Sequence, residues 1–149
     1  MKIAIGCDHA GLTYKGEVKK YLEEKGYEYK DFGCGVGETV DYPEQGRAVG
    51  EAVVSGEFEK GIIICGTGIG ISISANKVKG VRAALCGDCF SAKASREHNN
   101  ANVLAFGERV IGIGHAMMIV DIWLHTEFLG GRHARRVDKI TAIESEYNK

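Results

Sequence analysis

The chain has 149 residues, of which 44% are hydrophobic and 26% charged, with a formal net charge of -1. This balance fits one folded globular domain over residues 1–149 and lacks the basic field that nucleic acid or an anionic membrane surface would select. The longest apolar run, residues 116–120, is far too short to span a bilayer, and Lys2 and Asp8 interrupt the N-terminal run, so a cytoplasmic protein is expected.

The N-terminal segment Lys2 to Cys7 reads as a strand and Thr13 to Lys25 as a helix, with Tyr14, Val18, Tyr21 and Leu22 at helical spacing and Gly26 as its stop. Tyr27 to Phe32 alternates as a strand, and a glycine-rich loop follows over residues 33–37. Pro43 opens a helix that runs to Ser55. Gly61 to Cys65 is too apolar to have a wet face and is expected at the centre of a sheet. A short helix over Ile69 to Asn76 follows, then a strand over Val81 to Leu85, a helix over Asp88 to Glu97 and a strand over Asn102 to Phe106. Gly112 to His125 and His133 to Tyr147 complete the helices.

Strand and helix alternate without a linker or repeat. The pattern predicts an α/β fold, a Rossmann-like three-layer α/β/α sandwich with a five-stranded, mainly parallel sheet and a C-terminal helix. Ligands of such sheets bind outside the carboxyl ends of the strands, so chemistry is expected at Cys7 to His9, Asp31 to Gly37, Cys65 to Gly70, Cys86 to Cys89 and Phe106 to Arg109.

The densest of these places is Cys65-Gly66-Thr67-Gly68-Ile69-Gly70. Its spacing is not that of a dinucleotide fingerprint, and no lysine follows at phosphate-loop spacing. Asp31 ends the second strand where a ribose-binding acid would belong, but the first turn lacks the matching glycines. What remains is a generic oxyanion cradle made of backbone N–H groups, or a tight turn that only packs helix on strand. Cys65 is correspondingly either a thiolate favoured by the helix start or an inert core thiol. Asp8-His9 at the end of the first strand pairs a carboxylate with an imidazole, or caps a helix. His98 at a helix C-terminus reads first as a cap, and Arg109 as a solvated charge. Arg132 and Arg136, four residues apart, suit bidentate grip of a phosphate from one helix face, or form a solvated basic turn. Five cysteines, an odd number, argue for reduced thiols. Cys86-Gly87-Asp88-Cys89 has the spacing of a redox pair and little else in its favour.

In order and context, several segments together resemble ribose-5-phosphate isomerase B and its galactose-6-phosphate isomerase relatives. They are Gly6-Cys7-Asp8-His9-Ala10-Gly11, Asp41-Tyr42-Pro43, residues 64–72, Ala75-Asn76-Lys77, Arg96-Glu97-His98-Asn99, residues 102–107 and Gly130-Gly131-Arg132-His133. The resemblance implies aldose–ketose isomerisation of a small sugar phosphate through an enediolate, with neither metal nor cofactor. It implies Cys65 as the base, and the glutamate that some members carry at position 71 is an isoleucine here. It further implies His98 as the ring-opening group, assisted by Asp8 and Thr67. His9, Arg132 and Arg136 match phosphate ligands. Tyr42, Asn99, Arg109 and the turn Gly66, Thr67, Gly68, Ile69 and Gly70 match substrate contacts. A homodimer, or a dimer of dimers with the site at the subunit interface, is implied as well. Isomerisation of a hexose 6-phosphate or free aldose is the nearest alternative, and a non-catalytic sugar-phosphate-binding module the alternative of another class.

Overall fold

In a computed structural model, which describes residues 1–148, the elements alternate as expected. They are β1 (Lys2–Cys7), a 3-10 turn (His9–Gly11), α1 (Leu12–Glu24), β2 (Glu28–Asp31), α2 (Tyr42–Val54), β3 (Lys60–Cys65), α3 (Ile69–Ala75), β4 (Ala83–Leu85), α4 (Cys89–Glu97), β5 (Val103–Gly107), α5 (Ile113–Leu124) and α6 (Arg132–Tyr147). The sheet has order β2-β1-β3-β5-β4 and every neighbouring pair is parallel. The expected strand over Val81 to Leu85 is shorter, because the pairing with β5 begins only at Ala83. Val81 instead joins the apolar layer beneath α2 and α3. The 3-10 turn was not anticipated; it forms because the Asp8 carboxylate accepts the Ala10 N–H at 2.9 Å.

Both faces of the sheet are covered. Ile62 and Ile64 of β3 face a layer built from Val18 and Leu22 of α1, Ala92 of α4 and Ile119 and Trp123 of α5. Ile63 and Cys65 face Val49 and Val53 of α2 and Ile71 and Ala75 of α3. All six residues of β3 are buried, as a central parallel strand requires. Cutting any of the three isoleucines to alanine would cost about 2–5 kcal/mol. α6 contributes little to this core, burying only His133 and Val137.

Beneath β3 the Lys60 ammonium lies 5.5 Å from the centroid of the Trp123 ring, and the Arg96 guanidinium lies 5.7 Å from the same ring. Burial, reinforced by Arg96, pushes the Lys60 pKa down to about 8. Below about pH 8 folded and unfolded chains both carry the proton, and the folded state bears the full cost of the buried charge. Between that value and the ordinary lysine value of 10.5, only the unfolded chain keeps it, so this residue's contribution to stability rises with pH. Lys60→Met is therefore expected to raise Tm by about 2–4 °C at pH 7 and by less at pH 10, read by thermal melts at both.

Candidate active site

The chain order of the sheet turns around between β1 and β3: from β1 the chain runs outward to β2, and β3 lies on the other side. Crevices at such switch points are where open α/β sheets bind ligands. A cleft of about 500 Å³ opens there, lined by Asp8, His9, Ala10, Tyr42, Cys65, Gly66, Thr67, Ile69, Gly70, Ile73 and Arg109. Nine of these lining residues are among those singled out from the sequence; Ala10 and Ile73 were not.

Cys65 ends β3 and is 4% exposed. Its Sγ accepts the Gly68 N–H at 3.1 Å, which puts a backbone dipole where a sulfur anion is stabilised. Gly68 takes φ +79°, and a Cβ there would lie 2.7 Å from the carbonyl carbon of Phe106, so the turn requires glycine. Gly68 itself is buried and does not line the cleft. Gly107 allows the same turn to sit against β5, since a Cβ there would come within 2.6 Å of the Thr67 carbonyl oxygen. Thr67 Oγ1 accepts the Ile69 N–H at 3.1 Å and keeps its hydroxyl proton for another acceptor. The N–H groups of Gly68 and Ile69, expected to face a ligand, are thus held by Cys65 and Thr67.

Asp8 is 7% exposed; one carboxylate oxygen caps the 3-10 turn, as the capping reading expects, and the residue also lines the cleft. His9 Nδ1 lies 3.3 Å from the Val40 carbonyl. A carbonyl only accepts, so in this contact Nδ1 donates, and the residue lines the cleft. The loop that carries Val40 is pinned from behind. Lys15 Nζ donates to Asp31 Oδ1 at 2.9 Å and to the Cys34 carbonyl at 2.5 Å, and Lys19 Nζ reaches Asp31 Oδ2 at 3.1 Å. Burial works against the Asp31 charge, but these partners and the Gly33 N–H hold its carboxyl below the usual range. Asp31 therefore anchors a loop and is not a ribose-binding acid. Tyr42, first in α2, lies against the turn so closely that a Cβ on Gly70 would be 2.5 Å from its Cε1. The Arg109 side chain runs over Gly66, where a Cβ would meet its Cδ and Nη1 at 3.4 Å.

His98, Asn99, Arg132 and Arg136 lie elsewhere. α4 crosses from the carboxyl end of β4 back to the start of parallel β5, so His98 at its C-terminus sits at the strand-start edge. The six residues of β3 put about 16 Å between the two edges. The start of α6 is fastened to that edge, with the Leu129 N–H on the Glu97 carbonyl. His133 stacks on His98 with ring centroids 4.3 Å apart and planes 15° from parallel. Burial, then the neighbouring His98, Arg132 and Arg136, hold His133 below the ordinary histidine pKa. This His98–His133 stack was not legible in the sequence, because the two residues are 35 positions apart and only the fold joins them.

The proposed redox pair finds no support: burial pushes the Cys86 thiol up to about 11, the opposite of what a reactive thiol needs. No helix among the described residues is long and apolar enough to cross a membrane. Among the same residues, no group of three or more His, Cys, Asp or Glu side chains is placed to hold a metal ion.

Residues 3–140 match the family described as Ribose/Galactose Isomerase. The chain belongs to that family. Ribose-5-phosphate isomerase B of Escherichia coli is 52% identical to it over 99% of both chains. The D-erythrulose-4-phosphate isomerase of Pectobacterium atrosepticum is 43% identical, covering 98% of this chain and 97% of that one. A solved structure of ribose-5-phosphate isomerase B from Clostridium thermocellum superposes with a TM-score of 0.97 at 58% identity, over 99% of each chain. The Ribose/Galactose Isomerase assignment makes this protein a sugar-phosphate isomerase and sets aside the non-catalytic binding module.

Proposed function

We propose that this isomerase interconverts D-ribose 5-phosphate and D-ribulose 5-phosphate through an enediolate, at a site completed by a second copy of the chain. The observation that carries the reading is the Cys65 sulfur at the switch-point cleft, held by the Gly68 N–H and accompanied there by His9 and Arg109. Cys65 takes the C2 proton of the open-chain aldose and returns it to C1. The developing oxyanion falls to the N–H groups of Gly66, Thr67 and Gly70, since those of Gly68 and Ile69 are already bonded. His9, which lines the cleft, meets the phosphate from this copy. Asp8 and Thr67 handle protons during ring opening, while Tyr42 and Arg109 contact the sugar. No cofactor enters the scheme.

The remaining groups come from the second copy. His98, Asn99, Arg132 and Arg136 cluster at the strand-start edge, out of reach of Cys65 in the same chain. A two-fold axis that lays the strand-start edge of one copy over the strand-end edge of the other brings His98 to the ring oxygen and both arginines to the phosphate. A phosphate so gripped holds C1 and C2 in register with the sulfur.

The pentose reading is tested by kcat/KM on four-, five- and six-carbon sugar phosphates. Ribose 5-phosphate is expected to be preferred by at least about tenfold. A clear preference for D-erythrulose 4-phosphate or a hexose 6-phosphate would reassign the substrate, and the 43% identical relative named for erythrulose 4-phosphate is the observation favouring the former.

A further inference from the structure

Glu108, in the bend between β5 and α5, has no part in the reaction described above. Its Oε1 accepts the backbone N–H of Tyr14 at 2.7 Å. Tyr14 is the third residue of α1, so this N–H is one of the donors that a helix start leaves unpaired. The N-cap position is Gly11, which offers no side-chain acceptor. A local cap is also sterically barred, because a Cβ on Gly11 would lie 2.8 Å from the Ile64 carbonyl oxygen. Glu108 thus supplies, from 94 positions away, the capping oxygen that position 11 cannot hold. Its charge also faces the positive end of the helix.

The same bend is fastened on its other side. The Glu108 N–H donates to the Cys65 carbonyl at 3.0 Å, and the Arg109 N–H to the Gly66 carbonyl at 2.9 Å. The Tyr14 hydroxyl adds a parallel strut to the Ile111 carbonyl at 2.8 Å. One wall of the cleft, Asp8 to Ala10, runs directly into α1; the other, Cys65 to Thr67, ends β3. Glu108 is tied to both.

We propose that Glu108 is a positioning residue that sets the spacing between the Asp8–His9 wall and the Cys65–Arg109 wall of the cleft. The proposal rests on the reading of this cleft as the catalytic one. Glu108 acts through the backbone of α1 and β3 and moves no proton.

Glu108→Ala, Glu108→Asp and Glu108→Gln test it, assayed on whichever sugar phosphate the unaltered protein turns over fastest, with Tm and pH profiles beside kcat and KM. Alanine removes the acceptor, aspartate keeps the charge but is one methylene too short, and glutamine keeps an acceptor at the right reach. The first two are expected to lower kcat about 10- to 100-fold with KM changed less than about threefold. Glutamine is expected to stay within about threefold of the unaltered kcat, and the pH midpoints to stay where they are in every variant that folds. Unchanged kcat in the alanine or aspartate variant overturns the proposal. So does a glutamine variant as poor as alanine, or a shifted pH midpoint, either of which would mark a chemical role for the carboxylate. If alanine prevents folding, the aspartate–glutamine comparison decides. Cys65→Ala, run in the same series, separates the two failures: full activity there removes the reading of the cleft, whereas the Glu108 series reports on the spacing alone.

Discussion

Cys65→Ala is expected to lower kcat for ribose 5-phosphate about 1,000-fold or more while the protein stays folded. The loss follows from removing the only group in the scheme that touches the C2 proton. The sulfur is also the acceptor for the Gly68 N–H, so the turn loses a hydrogen bond and stability falls by about 1–2 kcal/mol. That is small beside the stability of a domain of this size. Cys65→Ser keeps an acceptor for Gly68 but replaces the sulfur with a far more weakly acidic hydroxyl. It is expected to recover stability without recovering rate. Steady-state kinetics and thermal melts on the two variants read both effects. An inert core cysteine would behave in the opposite way, with rate retained and only packing disturbed.

Two inactive variants are expected to restore each other. Cys65→Ala removes the base, and the double variant Arg132→Ala/Arg136→Ala removes the phosphate grip. Each alone should retain under about 1% of kcat/KM. Co-expressed in equal amounts, they should recover about a quarter of the unaltered activity, because a shared site is intact only when its cysteine and its arginines come from opposite variants. The expectation stems from the distance across the sheet: Cys65 ends β3, whereas α6 starts beside His98 at the edge where the strands begin. Absence of any recovery, with mixed assemblies demonstrated, would place all the groups in one chain and contradict the arrangement.

The alternation of apolar strands with helical periodicity made the layered fold legible in the sequence, and the Ile62–Ile64 run marked β3 as the central strand. The glycine turn after Cys65 was equally plain, and at Gly68 its positive φ and the closeness of the Phe106 backbone leave room for glycine alone. What depends on distant partners was not legible. The order β2-β1-β3-β5-β4 is set by which layers the crossovers cover, and no local pattern records it. The missing glycines argued against Asp31 as a ribose-binding acid, but its place between Lys15 and Lys19, one on each oxygen, was not legible. The capping of α1 by Glu108 could not be read at all, because Gly11 carries no capping side chain and its substitute lies beyond four intervening strands and three helices. Resemblance supplied His98, the two arginines and the expectation of a site at a subunit interface; the fold adds that these residues lie at the strand-start edge, away from Cys65.

The central claim is that a proton moves between C2 and C1 by way of the Cys65 sulfur. Its most direct test is to incubate D-ribose 5-phosphate with the protein in heavy water and follow both sugars by NMR. The account predicts D-ribulose 5-phosphate carrying solvent deuterium at C1, deuterium appearing at C2 of the recovered aldose, and loss of both signals with Cys65→Ala. Product formed with no solvent deuterium in either sugar, or deuterium uptake undiminished in Cys65→Ala, would contradict it.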